Sequence, residues 1–287
     1  MIAWVFDREA FGAPPEGVRM SEEPGDDVEF AVVRGSRPDL GAMGALKVVQ
    51  VLSAGVDWIA PRVPEGVTLC SARGARDRAM AEWVVWAILA DAKRAREVSD
   101  QQRRHEWVEV ANRDVEGLHV LIVGHGSIGR ACEEMLAPFG VHITGVGRTA
   151  RDGVRAIDDL PSLLGGSDVV VNLLPLTDDT RDLIGADELA RMPDGALYVN
   201  AGRGATTDTD ALVAELQRER IRAVLDVVEP EPLPPDHPLW DAPGVILCPH
   251  RAGDTPGAER AAWRLAREQM ARMVAGEPLQ NVVRDGF

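Results

Sequence analysis

The stretch from His119 to Gly129, His-Val-Leu-Ile-Val-Gly-His-Gly-Ser-Ile-Gly, spaces Gly124, Gly126 and Gly129 as G-x-G-x-x-G directly after an apolar run, Val120 to Val123. Branched residues in that run read as a strand buried on both faces. Such a turn suits a dinucleotide: Gly124 permits the turn, Gly126 lets backbone approach a pyrophosphate, and Gly129 lets the following helix pack closely. The helix N-terminus, at Ser127 and Ile128, then faces the anion. A plain strand-to-helix turn is the alternative. Three more polar clusters follow apolar runs: Asn200-Ala201-Gly202-Arg203-Gly204, Asp226 leading to Glu231, and Cys248-Pro249-His250. Taken singly, Arg203 reads as a surface ion pair, Glu231 as a solvated loop carboxylate and His250 as a strand-end cap. Beside a dinucleotide turn they match the needs of hydride transfer to a carbonyl. A histidine donates to the developing alkoxide, an arginine fixes and polarises an anionic substrate, and a glutamate keeps the histidine protonated near neutral pH.

Those clusters must be carried by strands of one sheet, and the chain supplies them. After the glycine-rich unit, whose helix runs through Cys132, Met135, Leu136 and Phe139 to a helix-ending Gly140, come His142 to Val146, Asp168 to Leu174, Ala196 to Asn200, Ala223 to Val227 and Val245 to Cys248. Helical stretches ending near Arg191 and over Asp210 to Arg220 alternate with them. This predicts one mostly parallel sheet over residues 96–258, with the polar clusters at the carboxyl ends of its strands, where open α/β sheets bind ligands. At the end of the His142 strand, where an acidic residue would hold the ribose 2′-hydroxyl of NAD, the chain reads Gly147-Arg148-Thr149-Ala150-Arg151. Arg148, Thr149 and Arg151 offer donors suited to a 2′-phosphate, so NADP is preferred, with NAD possible; chance arginines on an exposed loop are the alternative.

Upstream, Ile2 to Phe6, Val28 to Val33, Leu46 to Leu52 and Val67 to Cys70 predict a smaller doubly wound layer with abbreviated helices. Met80 to Arg94 predicts a long helix, apolar around most of its circumference and therefore buried, with Glu82 pairing to a nearby arginine. The segment from Ser99 to Glu116 is polar around an isolated Trp107, and the crossing between domains is placed near its beginning. A final helix, Ala258 to Ala275, and the tail Pro278 to Phe287 return to complete the first domain. The predicted architecture is α/β: a dinucleotide-binding Rossmann domain, 96–258, inserted into a smaller flavodoxin-like substrate domain, 1–95 and 259–287.

A net charge of -15 disfavours nucleic acid or an acidic membrane as the main partner, and no apolar run reaches the length of a membrane span. The start of the chain lacks the basic flank and cleavage site of a signal peptide, so a cytoplasmic protein is expected. The three cysteines, Cys70, Cys132 and Cys248, are widely spaced in apolar patterns and suggest buried thiols rather than disulfides or a metal site.

In these motifs the chain resembles the D-isomer-specific 2-hydroxyacid dehydrogenases. The resemblance runs through Ser53-Ala54-Gly55-Val56-Asp57, Ala81-Glu82, the glycine-rich turn, Leu174-Pro175-Leu176-Thr177 with Thr180, Asn200 to Gly204, Asp226 to Pro234, and Pro249-His250 with Gly253 and Thr255. It implies that Arg203 holds the substrate carboxylate and carbonyl, that His250 is the acid/base, and that Glu231 pairs with His250. It further implies that Asp226 meets the nicotinamide amide, with cofactor contacts also from Gly124, Gly126, Ser127, Ile128, Gly129, Leu174, Pro175, Thr180, Ala201, Gly202, Arg203, His250 and Gly253. Backbone donors near Ala54 and Gly55 for the substrate carboxylate, a cleft that closes on substrate, and a homodimer are implied too. The 148–151 loop is most similar to NADP-preferring glyoxylate/hydroxypyruvate reductases. Arg251 after the histidine and Thr207 in place of a usual valine or isoleucine depart from the pattern. The expected activity is NADPH-dependent reduction of small 2-oxo acids. The alternatives are an NAD-dependent dehydrogenase of a larger D-2-hydroxy acid, or a non-metabolic dinucleotide sensor.

Overall fold

Short runs of branched and small apolar residues make the strands, and the glycine- or proline-rich segments between them end each one. A computed structural model describes residues 1–35 and 38–283. Among the described residues, β1 (Ile2–Val5), β2 (Arg19–Met20), β3 (Phe30–Val33), β4 (Val48–Val51) and β5 (Thr68–Cys70) form a parallel sheet in the order β2-β1-β3-β4-β5, the flavodoxin-like order. Helix α1 (Arg8–Phe11) is a single turn, N-capped by Asp7. The two-residue edge strand β2 escapes sequence analysis because Arg19-Met20 has no pattern to read.

Helices α2 (Asp77–Ala92) and α3 (Ala95–Arg104) lead into a second sheet of β6 (His119–Val123), β7 (His142–Gly147), β8 (Val154–Ala156), β9 (Val169–Asn172), β10 (Leu197–Asn200), β11 (Arg222–Leu225) and β12 (Val245–Leu247). Its order is β12-β11-β10-β9-β6-β7-β8, parallel throughout, with the reversal between β6 and β9 that marks a doubly wound dinucleotide fold. The helices are α4 (Ser127–Leu136), α5 (Leu160–Leu163), α6 (Ala186–Arg191) and α7 (Thr209–Gln217). Period-two alternation sorts each strand between two cores. Leu121, Val123, Val170, Tyr198 and Ala223 join the side of α5, α6 and α7, whereas Val120, Ile122, Val169, Val171, Val199 and Val224 meet α2 and α4.

Helix α8 (Pro256–Ala275), N-capped by Thr255 and closed by Gly276 in the left-handed region, lays Trp263, Ala266 and Met270 against Ala3, Val5, Phe30 and Val32. The tail after it adds an antiparallel bridge, Val282 to Cys70, and hydrogen bonds from Ser71 and Val283 N–H. Residues 284–287 of the expected tail lie outside the described residues.

The chain divides into two compact units, 1–77 with 254–287, and 78–253. This differs from the expected boundaries near 95 and 258. The reason is α2: its Ala81, Val84, Ala87 and Ile88 sit in the core with Val120 and Ile122, so the helix belongs to the dinucleotide-binding unit. Nor is α2 buried all round, since Trp86 is 43% exposed and Glu82 pairs outward with Arg78 at 3.0 Å. Alanines, not the tryptophans, form most of its inward face. No helix among the described residues is long and apolar enough to cross a membrane.

Candidate active site

Strand β6 ends in Gly124 with φ +100°, where a side chain would come within 2.7 Å of the Leu173 backbone. Only glycine fits there. A Cβ on Gly129 would lie 3.0 Å from the Gly124 carbonyl oxygen and 3.3 Å from Ile122, so the start of α4 closes directly onto the strand that precedes it. At Gly126 an added Cβ would meet nothing within 4 Å. The turn is closely packed on the inside and open at Gly126, just before Ser127 and Ile128 begin the helix. That cradle and helix N-terminus fit the pyrophosphate of a dinucleotide.

Arg148 and Thr149 are exposed beyond β7, and Arg148 has no partner among the described residues. Arg151 is differently placed. Its guanidinium lies against Gly147 and donates to the His125 carbonyl, tying the loop after β7 to the glycine-rich turn. His125 itself, unremarked in the sequence, is buried; its Nε2 pairs with Glu133 of α4 at 2.6 Å and its ring lies over Gly145. A histidine between the glycines of the motif was the available signal.

Pro175 and Thr180 share a tight turn after β9, in which the Thr180 hydroxyl donates to the Pro175 carbonyl at 2.6 Å. Leu174, buried beside it, donates its N–H to the Asn172 side chain at 3.0 Å. Ala201 and Gly202 follow β10 and are buried, and the Ala201 N–H reaches the Asn172 carbonyl at 3.1 Å. Gly253 is half-buried at the end of the unit. Ala54 and Gly55 belong to the other unit, in the turn after β4, where the Ser53 hydroxyl donates to the Gly55 carbonyl at 2.7 Å.

At the carboxyl ends of β10, β11 and β12 the structure brings Arg203, Glu231 and His250 together. His250 Nδ1 and Glu231 Oε2 are 2.8 Å apart, and the other Glu231 oxygen accepts the Val228 N–H at 3.1 Å. The carboxylate is thereby aimed at one ring nitrogen, leaving Nε2 for another partner. The Glu231 hydrogen bond, outweighing burial, raises the His250 pKa above its ordinary 6.5. Burial works to raise the Glu231 pKa, but hydrogen bonds from His250 and Val228 prevail and lower it. Half-buried Arg203 is close enough for its charge to lower both values.

His250 has φ +52°, a left-handed backbone uncommon for a histidine. Asp226 holds it there: the His250 N–H donates to the Asp226 carbonyl at 2.8 Å, and the next two N–H groups, of Arg251 and Ala252, donate to Asp226 Oδ1 at 2.7 and 2.9 Å. Burial raises the Asp226 pKa against those two bonds. Its second carboxylate oxygen has no hydrogen-bond partner among the described residues and so remains available to an amide donor. The exposed Arg251 side chain likewise has none among the described residues. Beside the pair opens a cavity of about 590 Å³, lined by Val228, Pro232, Leu233, Trp240, Leu247 and Cys248. Burial pushes the Cys248 thiol up, opposed by a hydrogen bond with Trp83.

A doubly wound sheet with this glycine turn, and a histidine–carboxylate pair at the carboxyl ends of its strands, defines a dinucleotide-dependent oxidoreductase. Residues 85–252 match the family model described as D-isomer specific 2-hydroxyacid dehydrogenase, NAD binding domain. The chain belongs to this family of NAD(P)-dependent D-2-hydroxyacid dehydrogenases. It is 34% identical over 249 residues to a glyoxylate reductase of Thermofilum pendens, covering 81% of this chain and 73% of that one. It is 31% identical over 272 residues to a D-3-phosphoglycerate dehydrogenase of Methanocaldococcus jannaschii, covering 90% of this chain and 52%, about half, of that one. Among solved structures, the NADPH-dependent glyoxylate/hydroxypyruvate reductase of Sinorhizobium meliloti, in complex with NADP and sulfate, aligns with a TM-score of 0.87 at 30% identity, over 100% of this chain and 99% of that one.

Proposed function

We propose that the chain reduces small 2-oxo acids of the glyoxylate or hydroxypyruvate kind to 2-hydroxy acids, D where the product is chiral, using NADPH. The observation that carries this reading is the 2.8 Å pair of His250 and Glu231 with the Arg203 charge acting on both. When bound, NADPH supplies the hydride. Arg203 grips the substrate carboxylate and polarises its carbonyl, as a planar two-donor group can. His250, kept protonated by Glu231, gives the proton on Nε2 to the oxygen as it becomes an alkoxide. Asp226 holds the histidine's backbone and offers its second oxygen to the carboxamide. Gly124, Gly126, Ser127, Ile128 and Gly129 form the pyrophosphate cradle, and Leu174, Pro175, Thr180, Ala201, Gly202 and Gly253 border the dinucleotide. Arg148 and Thr149 take the 2′-phosphate, with Arg151 bracing their loop. The Sinorhizobium structure, bound to NADP, supports that cofactor choice.

A second reading is an NAD-dependent enzyme of a larger 2-hydroxy acid. The apolar cavity beside His250 and the phosphoglycerate dehydrogenase relative favour it. Initial rates with glyoxylate, hydroxypyruvate, pyruvate and a branched 2-oxo acid, each with NADPH and NADH, separate the two. The first reading requires glyoxylate or hydroxypyruvate with NADPH to give the highest kcat/KM. We also propose a homodimer, supported by Trp107, 98% exposed beside the exposed Val108.

A further inference from the structure

We propose that Thr206 is a positioning residue for Arg203, the terminal hydroxyl of a buried polar network that fixes the substrate-gripping turn against the turn after β9; this rests on the role given to Arg203 above. The network comprises Asn172, Tyr198, Asn200, Thr206 and Thr207, each at most 4% exposed. The Thr206 hydroxyl donates to the Arg203 carbonyl at 2.6 Å and accepts from Asn172 Nδ2 at 2.9 Å. Asn172 Nδ2 also donates to the Tyr198 hydroxyl at 2.8 Å, while Asn172 Oδ1 accepts the Leu174 N–H. Asn200 mirrors it: Nδ2 donates to the Arg203 carbonyl at 3.2 Å and to Thr207 Oγ1 at 3.1 Å, and Oδ1 accepts the Gly202 N–H at 3.0 Å. The Tyr198 and Thr207 hydroxyls close the ring at 2.6 Å.

Every polar atom of both side-chain amides is thus engaged, each oxygen once and each NH2 twice. Deep burial leaves no water to replace a lost partner, so each group is costly to orphan. Burial also pushes the Tyr198 phenol up to about 12, so it remains neutral at any working pH. The two amides sit at the ends of adjacent strands, β9 and β10, in register with each other. Each caps its own turn, and Thr206 couples them through the one carbonyl that belongs to Arg203. A packing role would be met by an apolar residue of the same shape. Tying the Arg203 carbonyl to Asn172 needs a hydroxyl at this position, because the Thr206 N–H at 3.2 Å and Asn200 Nδ2 reach the same carbonyl without touching Asn172.

The experiment compares Thr206→Val, the same shape without the hydroxyl, with Thr206→Ser, which restores it. In the full chain, Thr206→Val should raise KM for glyoxylate or hydroxypyruvate about tenfold, the scale of one buried group left unpaired, with a smaller rise in the NADPH Kd because Leu174 and Gly202 border the dinucleotide. Thr206→Ser should return KM to within about threefold of the parent. Hydrogen exchange should show faster exchange of the Leu174 and Gly202 amides in Thr206→Val only. Tyr198→Phe, which leaves the three hydrogen bonds to the Arg203 carbonyl in place, should give a smaller KM effect in the same direction, and serves if Thr206→Val does not fold. Overturning results are Val and Ser variants equal to the parent in KM and exchange, or a valine variant losing kcat, KM and NADPH affinity equally with exchange raised throughout. Absence of turnover by the parent on every 2-oxo acid overturns the Arg203 assignment instead, and the exchange comparison then decides the network's role alone.

Discussion

In the proposed reduction, His250 and Glu231 keep a proton where the reaction needs it. The glutamate hydrogen bond raises the histidine pKa above 6.5, so the reactive acid is present below that raised value and is lost as pH rises through it. Reductive kcat/KM should therefore fall on the alkaline side, and the oxidative rate should rise over the same range. Glu231→Gln removes the cause of the shift; the pH-rate profile should keep its shape with the fall displaced to lower pH. His250→Asn should lower kcat by about two to four orders of magnitude, the usual worth of a general acid, while NADPH binding measured by fluorescence changes little. The pair also stabilises the fold between the lowered Glu231 value and the raised His250 value, a contribution kept small by solvent because both side chains are more than a third exposed or close to it. Arg148, with no partner among the described residues, is the residue whose loss should be felt in cofactor choice. Arg148→Ala should reduce the ratio of kcat/KM for NADPH over NADH about tenfold, as expected for one charge-assisted phosphate contact.

At the scale of elements, the junction of β6 with α4 has no slack. A methyl on Gly129 meets the Gly124 carbonyl oxygen at 3.0 Å, so Gly129→Ala pushes the helix N-terminus away from its strand. Urea unfolding should show a loss of about 1–3 kcal/mol, typical of overpacking, together with weaker NADPH binding. The alternation of β6, β7 and β9 to β12 was legible because each of these strands is an apolar run ending in a turn. Helix α2 was legible as a helix but not as a member of the dinucleotide-binding unit. Periodicity reports which residues of a helix are apolar, not which sheet receives them. Strand β8, Val154–Ala156, lay hidden because Val-Arg-Ala is not an apolar run. Arg76 gives the element scale one further detail. It donates to the Leu52 carbonyl at 3.2 Å and to Asp254 at 3.0 Å, joining the two places where the chain leaves and re-enters the first unit.

For the whole molecule, a ligand that binds only the folded chain must stabilise it. NADPH at about a hundred times its Kd should raise the unfolding free energy by about 2.7 kcal/mol, read as a rise in Tm, and NADH at the same concentration should raise it less. Light scattering should give twice the chain mass if the proposed homodimer forms. The residue types and spacings alone determined the two parallel α/β layers and the glycine turn, and marked Arg203, Glu231 and His250 as the candidates of the proposed site, because buried strands and phosphate-binding turns impose local patterns on the chain. Only the tertiary structure decided that Glu231 takes Nδ1 of His250, that Asp226 holds the histidine backbone, that Arg151 is bound to the His125 carbonyl, and that Asn172, Thr206 and Tyr198 stand beneath Arg203. Those contacts join residues distant in the chain, and their hydrogen bonds depend on strand register and close backbone approach, which no local pattern encodes.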